Sequence, residues 1–229
     1  MSNFNEVSVD GAATSLDFTG INVSAAKDTA NKIADNCAEV DITFHTEMDS
    51  FLKGLAAIWY GPNAIKFETE IQSKMDELVN DSFEQYKKGC QNLCNAINRW
   101  GVSMGLGTII DNVTIHAEWG VASFGPWFKE TSEAGTVGMK TKMVEAKLED
   151  LDKIQAKLNS IVDELPHQCS IYDENGNTVS SFKTMQDSIK ETFITNFNSI
   201  KELIKSNITK EIDLTVSTGE KAAAEFTNV

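Results

Sequence analysis

The chain has 229 residues, with 20 basic and 34 acidic side chains and a formal charge of −14. That balance lacks the clustered Lys and Arg that nucleic acid binding needs, and it disfavours an anionic membrane surface. The hydrophobic content of 41% is that of a folding chain. Arg99 is the sole arginine beside nineteen lysines, which argues against an enzyme built on arginine clamps for phosphate or carboxylate.

Met1 to Asp17 shows neither the basic stretch nor the apolar stretch of a signal peptide. No run of about 18 apolar residues follows that would cross a membrane as a helix. Helical periodicity starts at Ala26. Apolar residues fall at Ala26, Ala30, Ile33, Cys37, Val40, Phe44, Met48, Phe51, Leu55 and Trp59, in steps of three or four. This spacing predicts one apolar stripe on a helix running to Trp59. Gly61 and Pro62 then supply a helix stop and a first helical residue. A second stripe runs through Phe67, Ile71, Met75, Leu78, Val79, Phe83, Tyr86, Cys90, Leu93, Cys94 and Ile97. The two runs predict a long antiparallel helical hairpin with a short turn. Each helix of such a hairpin, at about 33 residues, would be roughly 50 Å long.

Residues 101–138 differ in kind: they are rich in Gly and Trp. Asn112 to Trp119 alternates as a strand does, and Val102 to Ile110 either extends the second helix or pairs with that strand. Phe124-Gly-Pro-Trp-Phe128 reads as an irregular loop. Helical spacing returns from Met139 to Leu165, with Met143, Leu151, Ile154, Leu158 and Ile161 in the stripe, and Pro166 ends it. Asn175-Gly176 marks a tight turn, the centre of a small hairpin over 170–179. A last stripe takes Phe182, Met185, Ile189, Phe193, Phe197, Ile200, Ile204 and Ile208, and Asp213 to Val229 reads as a polar tail.

The expected fold is therefore all-α: an elongated four-helix bundle of long antiparallel hairpins, with a small irregular or β-containing centre. Its expected divisions are an N-terminal hairpin over 1–100, a connector over 101–138 and a C-terminal hairpin over 139–229. The second hairpin is a candidate divergent repeat of the first, since an offset of 115 sets Gly61 against Gly176, Phe67 against Phe182 and Leu78 against Phe193.

Trp59-Tyr60-Gly61, in a tight turn between two long amphipathic helices, carries a resemblance. Together with Ala56, Ala57, Ala64 and Phe67 it resembles the turn of the Trp-x-Gly (ESX-type) helical-hairpin family of type VII secretion, over about residues 20–100. The resemblance implies a protein secreted or held at the cell surface without a cleavable signal, made in a bacterial cytoplasm. It implies protein partners: secretion machinery, an effector or a second copy, with the chain acting as a fused pseudo-dimer or a homodimer. It also implies that Trp59 and Gly61 belong to a surface used in secretion. The residues themselves allow a plainer role, in which Trp59 caps the hairpin's core and Gly61 stops a helix. The family's export signal, Tyr followed four residues on by Asp or Glu, is not met at Tyr60, Tyr86 or Tyr172.

The apolar residues Phe44, Phe51, Leu55, Phe67, Ile71 and Leu78 are expected to form a packing or partner-binding face. Ile109, Ile110, Trp119, Phe124, Trp127 and Phe128 form an apolar segment that a membrane or a partner would meet, or that packs on the bundle end. It motivates an alternative reading as a membrane-acting, pore-forming-like protein, and a phage or cell-surface structural rod is a second. No enzyme is expected, nor a cofactor or metal. His45, His116 and His167 lie in separate segments, and His167 with Cys169 is too small a ligand set for zinc. Phosphate-loop, dinucleotide and nucleophile-elbow patterns do not occur. Asp173 to Asn177 lacks the alternation and closing Glu of a calcium loop. Cys37, Cys90, Cys94 and Cys169 are read as buried thiols, with a disulfide between helices left open.

Overall fold

The computed structural model describes residues 20–110, 125–165 and 180–227, and the side chains among them outside 75–81, 180–181 and 225–227. The expected strand over 112–119, the hairpin over 170–179, Trp119, Phe124, His116, His167, Cys169 and the side chain of Leu78 lie outside the described residues. So do the N-terminal stretch read for a signal and the Gly176 half of the candidate repeat.

The fold is all-α, with packed helices and, among the described residues, one two-stranded sheet. Helix α1 spans Val23–Ala56, strand β1 Trp59–Tyr60, helix α2 Pro62–Ser103, strand β2 Gly138–Met139, helix α3 Thr141–Asp163 and helix α4 Ser180–Thr227. The helix starts follow local chemistry. Asn22 caps α1 by accepting the Ala25 amide at 2.9 Å through Oδ1. Pro62 opens α2, where its missing N–H removes nothing.

Three boundaries differ from the sequence expectation. Helix α1 stops at Ala56 rather than Trp59. The Ile58 amide bonds to the Leu55 carbonyl at 3.0 Å, which tightens the last turn. Trp59 and Tyr60 then pair antiparallel with Met139 and Gly138. Helix α2 continues only to Ser103, and 104–110 has no regular structure. The expected polar tail is helical as far as Thr227. Its side chains are largely exposed, so intrinsic propensity, helped by Ala222, Ala223 and Ala224, sustains the helix where burial does not.

Two compact units divide the chain, and the division falls within each of α1, α2, α3 and α4. The first unit takes α1 as far as Asp41, α2 from Phe83, α3 from Ser160 and α4 as far as Phe193. Its core includes Ile33, Cys37, Val40, Phe83, Tyr86, Leu93, Val162 and Phe193, all buried. Phe193 receives Phe83 edge-on at 5.2 Å and Tyr86 at 5.0 Å. Asn98 folds the chain beyond α2 back onto it, since its Oδ1 accepts the amides of Ile109 and Ile110 at 3.1 and 2.8 Å.

The second unit holds the remaining part of each helix and both strands. Phe44, Phe51 and Leu55 of α1, Phe67 and Ile71 of α2, Val144, Leu151, Ile154 and Leu158 of α3, and Phe197, Ile200, Ile204 and Ile208 of α4 are buried there. Each large apolar side chain so buried contributes about 1.5–3 kcal/mol. Phe44 meets Phe197 edge-on at 6.2 Å. In α3 the stripe takes Val144, while Met143 is exposed, contrary to expectation. Counting back seven residues from Leu151 reaches Val144, so Met143 lies off the stripe. A similar displacement occurs in α4 of the first unit, where Gln186 is buried and Met185 and Ile189 are half-buried.

Candidate functional site at the Trp59 turn

The turn between α1 and α2 brings Trp59 and Phe67 together with Phe128. Gly61 makes the reversal possible. Its φ of 118° is a conformation side-chain-bearing residues avoid, and a Cβ there would lie 2.7 Å from Val137 Cγ1. Its carbonyl accepts the Ile65 amide at 3.2 Å as α2 begins, and its own N–H donates to the Lys129 carbonyl at 2.9 Å.

Trp59 is buried, only 2% exposed. Its indole ring lies 4.9 Å from the Phe67 ring and 5.7 Å from that of Phe128, and Phe67 and Phe128 are themselves 5.7 Å apart. The three rings close a triangle at edge-on and tilted angles, which suit aromatic quadrupoles. Two corners come from the hairpin. The third comes from the connector, from the irregular loop whose apolar residues the sequence singles out.

A buried carboxylate fastens that loop. Glu68, 7% exposed, accepts the Trp127 amide at 2.7 Å through Oε1. Gly125 stands over it at φ 90°, where a Cβ would meet Glu68 Oε1 at 2.7 Å and Gln72 Nε2 at 2.8 Å. The far end of the connector is fixed by β2, and then by the Lys140 amide donating to the Ile58 carbonyl at 3.0 Å. Beside the turn a groove of about 330 Å³ is lined by Trp59, Tyr60, Gly61, Val137, Met139 and Leu214 among others. Val137 and Leu214 are exposed along it.

The other expected residues are placed as follows. Phe44, Phe51, Leu55 and Ile71 are buried in the core of the second unit. Ile109 and Ile110 are buried in the first unit, whereas Trp127 is half-buried and Phe128 buried in the second. Glu68 and Val137 were not singled out by sequence. A signal for Glu68 existed, since with Ala64, Phe67 and Ile71 it occupies the helical spacing of a buried stripe.

The thiols form a separate group in the first unit: Cys37 and Cys90 are fully buried and Cys94 nearly so. A hydrogen bond with Cys37, together with burial, pushes the Cys90 thiol up, and burial pushes that of Cys94 up to about 11. Burial likewise raises Tyr86, with the neighbouring thiols adding to it. Such thiols hold their protons and are poor nucleophiles. Among the described residues, no three His, Cys, Asp or Glu side chains gather as metal ligands would. No described helix is long and apolar enough to cross a membrane. In comparison with known proteins, the chain matches no family model, no curated protein and no solved structure.

Proposed function

We propose that this chain is a non-enzymatic helical protein that acts through protein contacts, as cargo or escorting partner of a type VII-like secretion system. The observation that carries the reading is the Trp59-Tyr60-Gly61 reversal, with Gly61 at a φ of 118° between two helices of 34 and 42 residues. Its partners are the secretion machinery and the protein it accompanies. The site of action is outside the cytoplasm. Each unit draws segments from α1, α2, α3 and α4 of one chain, which supports a working monomer over a dimer of separate hairpins.

The test is export from a type VII-competent bacterium. The tagged chain should reach the medium, and should stay in the cell when the membrane ATPase of that system is deleted. Trp59→Ala and Gly61→Ala should reduce export, with Phe197→Leu, a core change away from the turn, as a control for lowered stability. Undiminished export without the ATPase rejects the reading. Sedimentation should give a monomer of 25.2 kDa; an obligate dimer would reject the single-chain arrangement.

A further inference from the structure

We infer that residues 125–140 are a strap that opens as a unit of its own and, while seated, masks the Trp59 turn. The strap's fastenings all fall on one small area. Glu68 takes the Trp127 amide, Phe128 covers Trp59 and Phe67, and the Lys129 carbonyl takes the Gly61 amide. Strand β2 pairs with β1, and the Lys140 amide reaches Ile58. Between these points the strap bonds to itself: the Ser132 amide donates to the Thr136 carbonyl at 2.9 Å and the Thr136 amide to the Ser132 hydroxyl at 3.0 Å.

What the strap lacks is a core. Phe128 is its one buried large apolar side chain, and 129–131 and 133–138 are exposed. The helices of the second unit, by contrast, bury several such side chains each. Segments with few buried apolar contacts and exposed backbone hydrogen bonds open first, below the cost of global unfolding. Opening would uncover the Trp59 ring, the pairing edge of β1 and the Gly61 N–H together. Those are an aromatic face and a short strand edge, the elements that capture an extended segment of another protein. The regulatory meaning rests on the proposed reading, in which this turn is a contact surface; the opening itself does not.

The experiment is hydrogen exchange on the full chain, read residue by residue. In the wild type, the Gly61 and Lys140 amides should exchange at least tenfold faster than the amides of Phe51 and Ile154. Glu68→Ala should speed Gly61 and Lys140 about tenfold further and leave Phe51 and Ile154 unchanged. Trp127 loses its own acceptor in that variant, so it is not diagnostic. Hydroxyl-radical footprinting should show Trp59 oxidised several-fold faster in Glu68→Ala, and likewise in Phe128→Ala.

Equal exchange at Gly61, Lys140, Phe51 and Ile154 in the wild type overturns the inference without any variant. A response confined to Trp127 overturns it as well. Neither measurement needs secretion machinery, so a failed export experiment rejects the proposed function and leaves the strap standing. If Trp59→Ala blocks export while Glu68→Ala leaves it unchanged, the masking role is overturned and the proposed function stands.

Discussion

The Tyr86 hydroxyl donates to Asn36 Oδ1 at 2.5 Å inside the first unit, and Asn36 passes its own amide to the Ile161 carbonyl at 2.5 Å. Both side chains are buried, and the chain of bonds ties α2 to α1 and α1 to α3. Tyr86→Phe leaves the Asn36 oxygen unpaired and should cost about 1–3 kcal/mol in urea unfolding. Asn36→Leu should cost a comparable amount, because it removes the acceptor of the Tyr86 hydroxyl, while the Ile161 carbonyl keeps the Glu164 amide at 3.1 Å. The double variant should lose clearly less than the sum of the two. Strict additivity would mean that the two residues do not act as a pair.

Gln186 presents the opposite case in the same unit. It is fully buried, and among the described residues neither Oε1 nor Nε2 has a hydrogen-bond partner. An unpaired amide in a packed interior is costly. Gln186→Met, close in volume, should therefore stabilise the chain by about 1 kcal/mol, seen as a higher urea midpoint with an unchanged slope. A lowered midpoint would show that the amide is satisfied in solution.

The helices were legible because burial and sequence share one period. From Ala26 to Leu55 every expected stripe position of α1 is buried. Trp59, next in the series, instead enters a strand, because its backbone partner is Met139, eighty positions away. No local pattern announces such a pairing. The polar members of the buried faces, Asn36, Glu68 and Gln186, are legible by spacing alone. They fit the helical spacing, but a reading by hydrophobicity discards them. Of the candidate site, Trp59 and Gly61 are legible from their place in a tight turn between two periodic helices. Their cover, Phe128, stands out in the sequence as part of an apolar segment, but its partners Trp59 and Phe67 are long-range and carry no local signal.

Gly61 is held by conformation and by space, and the two can be separated. Gly61→Ala should destabilise by about 1–3 kcal/mol, since its φ is 118° and its Cβ would press on Val137. Adding Val137→Ala removes the contact but not the strained φ, so it should recover only part of the loss. Full recovery would assign the whole effect to crowding. Thermal unfolding of the three proteins decides it.

Acid should weaken the second unit through two carboxylates. Lys153 and then Lys147 hold the Asp150 carboxyl below its usual range, and Lys205 and Lys201 do the same for Asp152. A depressed folded-state pKa gives stability that is present above the ordinary aspartate value of about 3.9. It is lost as pH falls through the lower folded value. Both groups are partly exposed, so salt screens the effect and its size is small. Asp150→Asn with Asp152→Asn should lower the melting temperature slightly at pH 7 and have no effect near pH 2. An equal loss at both values would point to packing instead of charge.

The thiols make the corresponding prediction at high pH. A thiol raised in the folded state stabilises the fold fully below its unfolded value, about 8.5, and that stability is lost as pH rises through the folded value. With Cys94 pushed up to about 11 and Cys90 raised as well, stability should fall between about pH 8.5 and 11. Cys94→Val should flatten that alkaline decline in part. The same burial protects the sulfurs from reagents. Iodoacetamide at pH 8 should leave Cys37, Cys90 and Cys94 unmodified in the native chain and label all three in urea, read by peptide mass. Rapid native labelling of Cys90 would mean that the core of the first unit opens on the timescale of the reaction, and the assignment of these thiols as inert packing groups would fall.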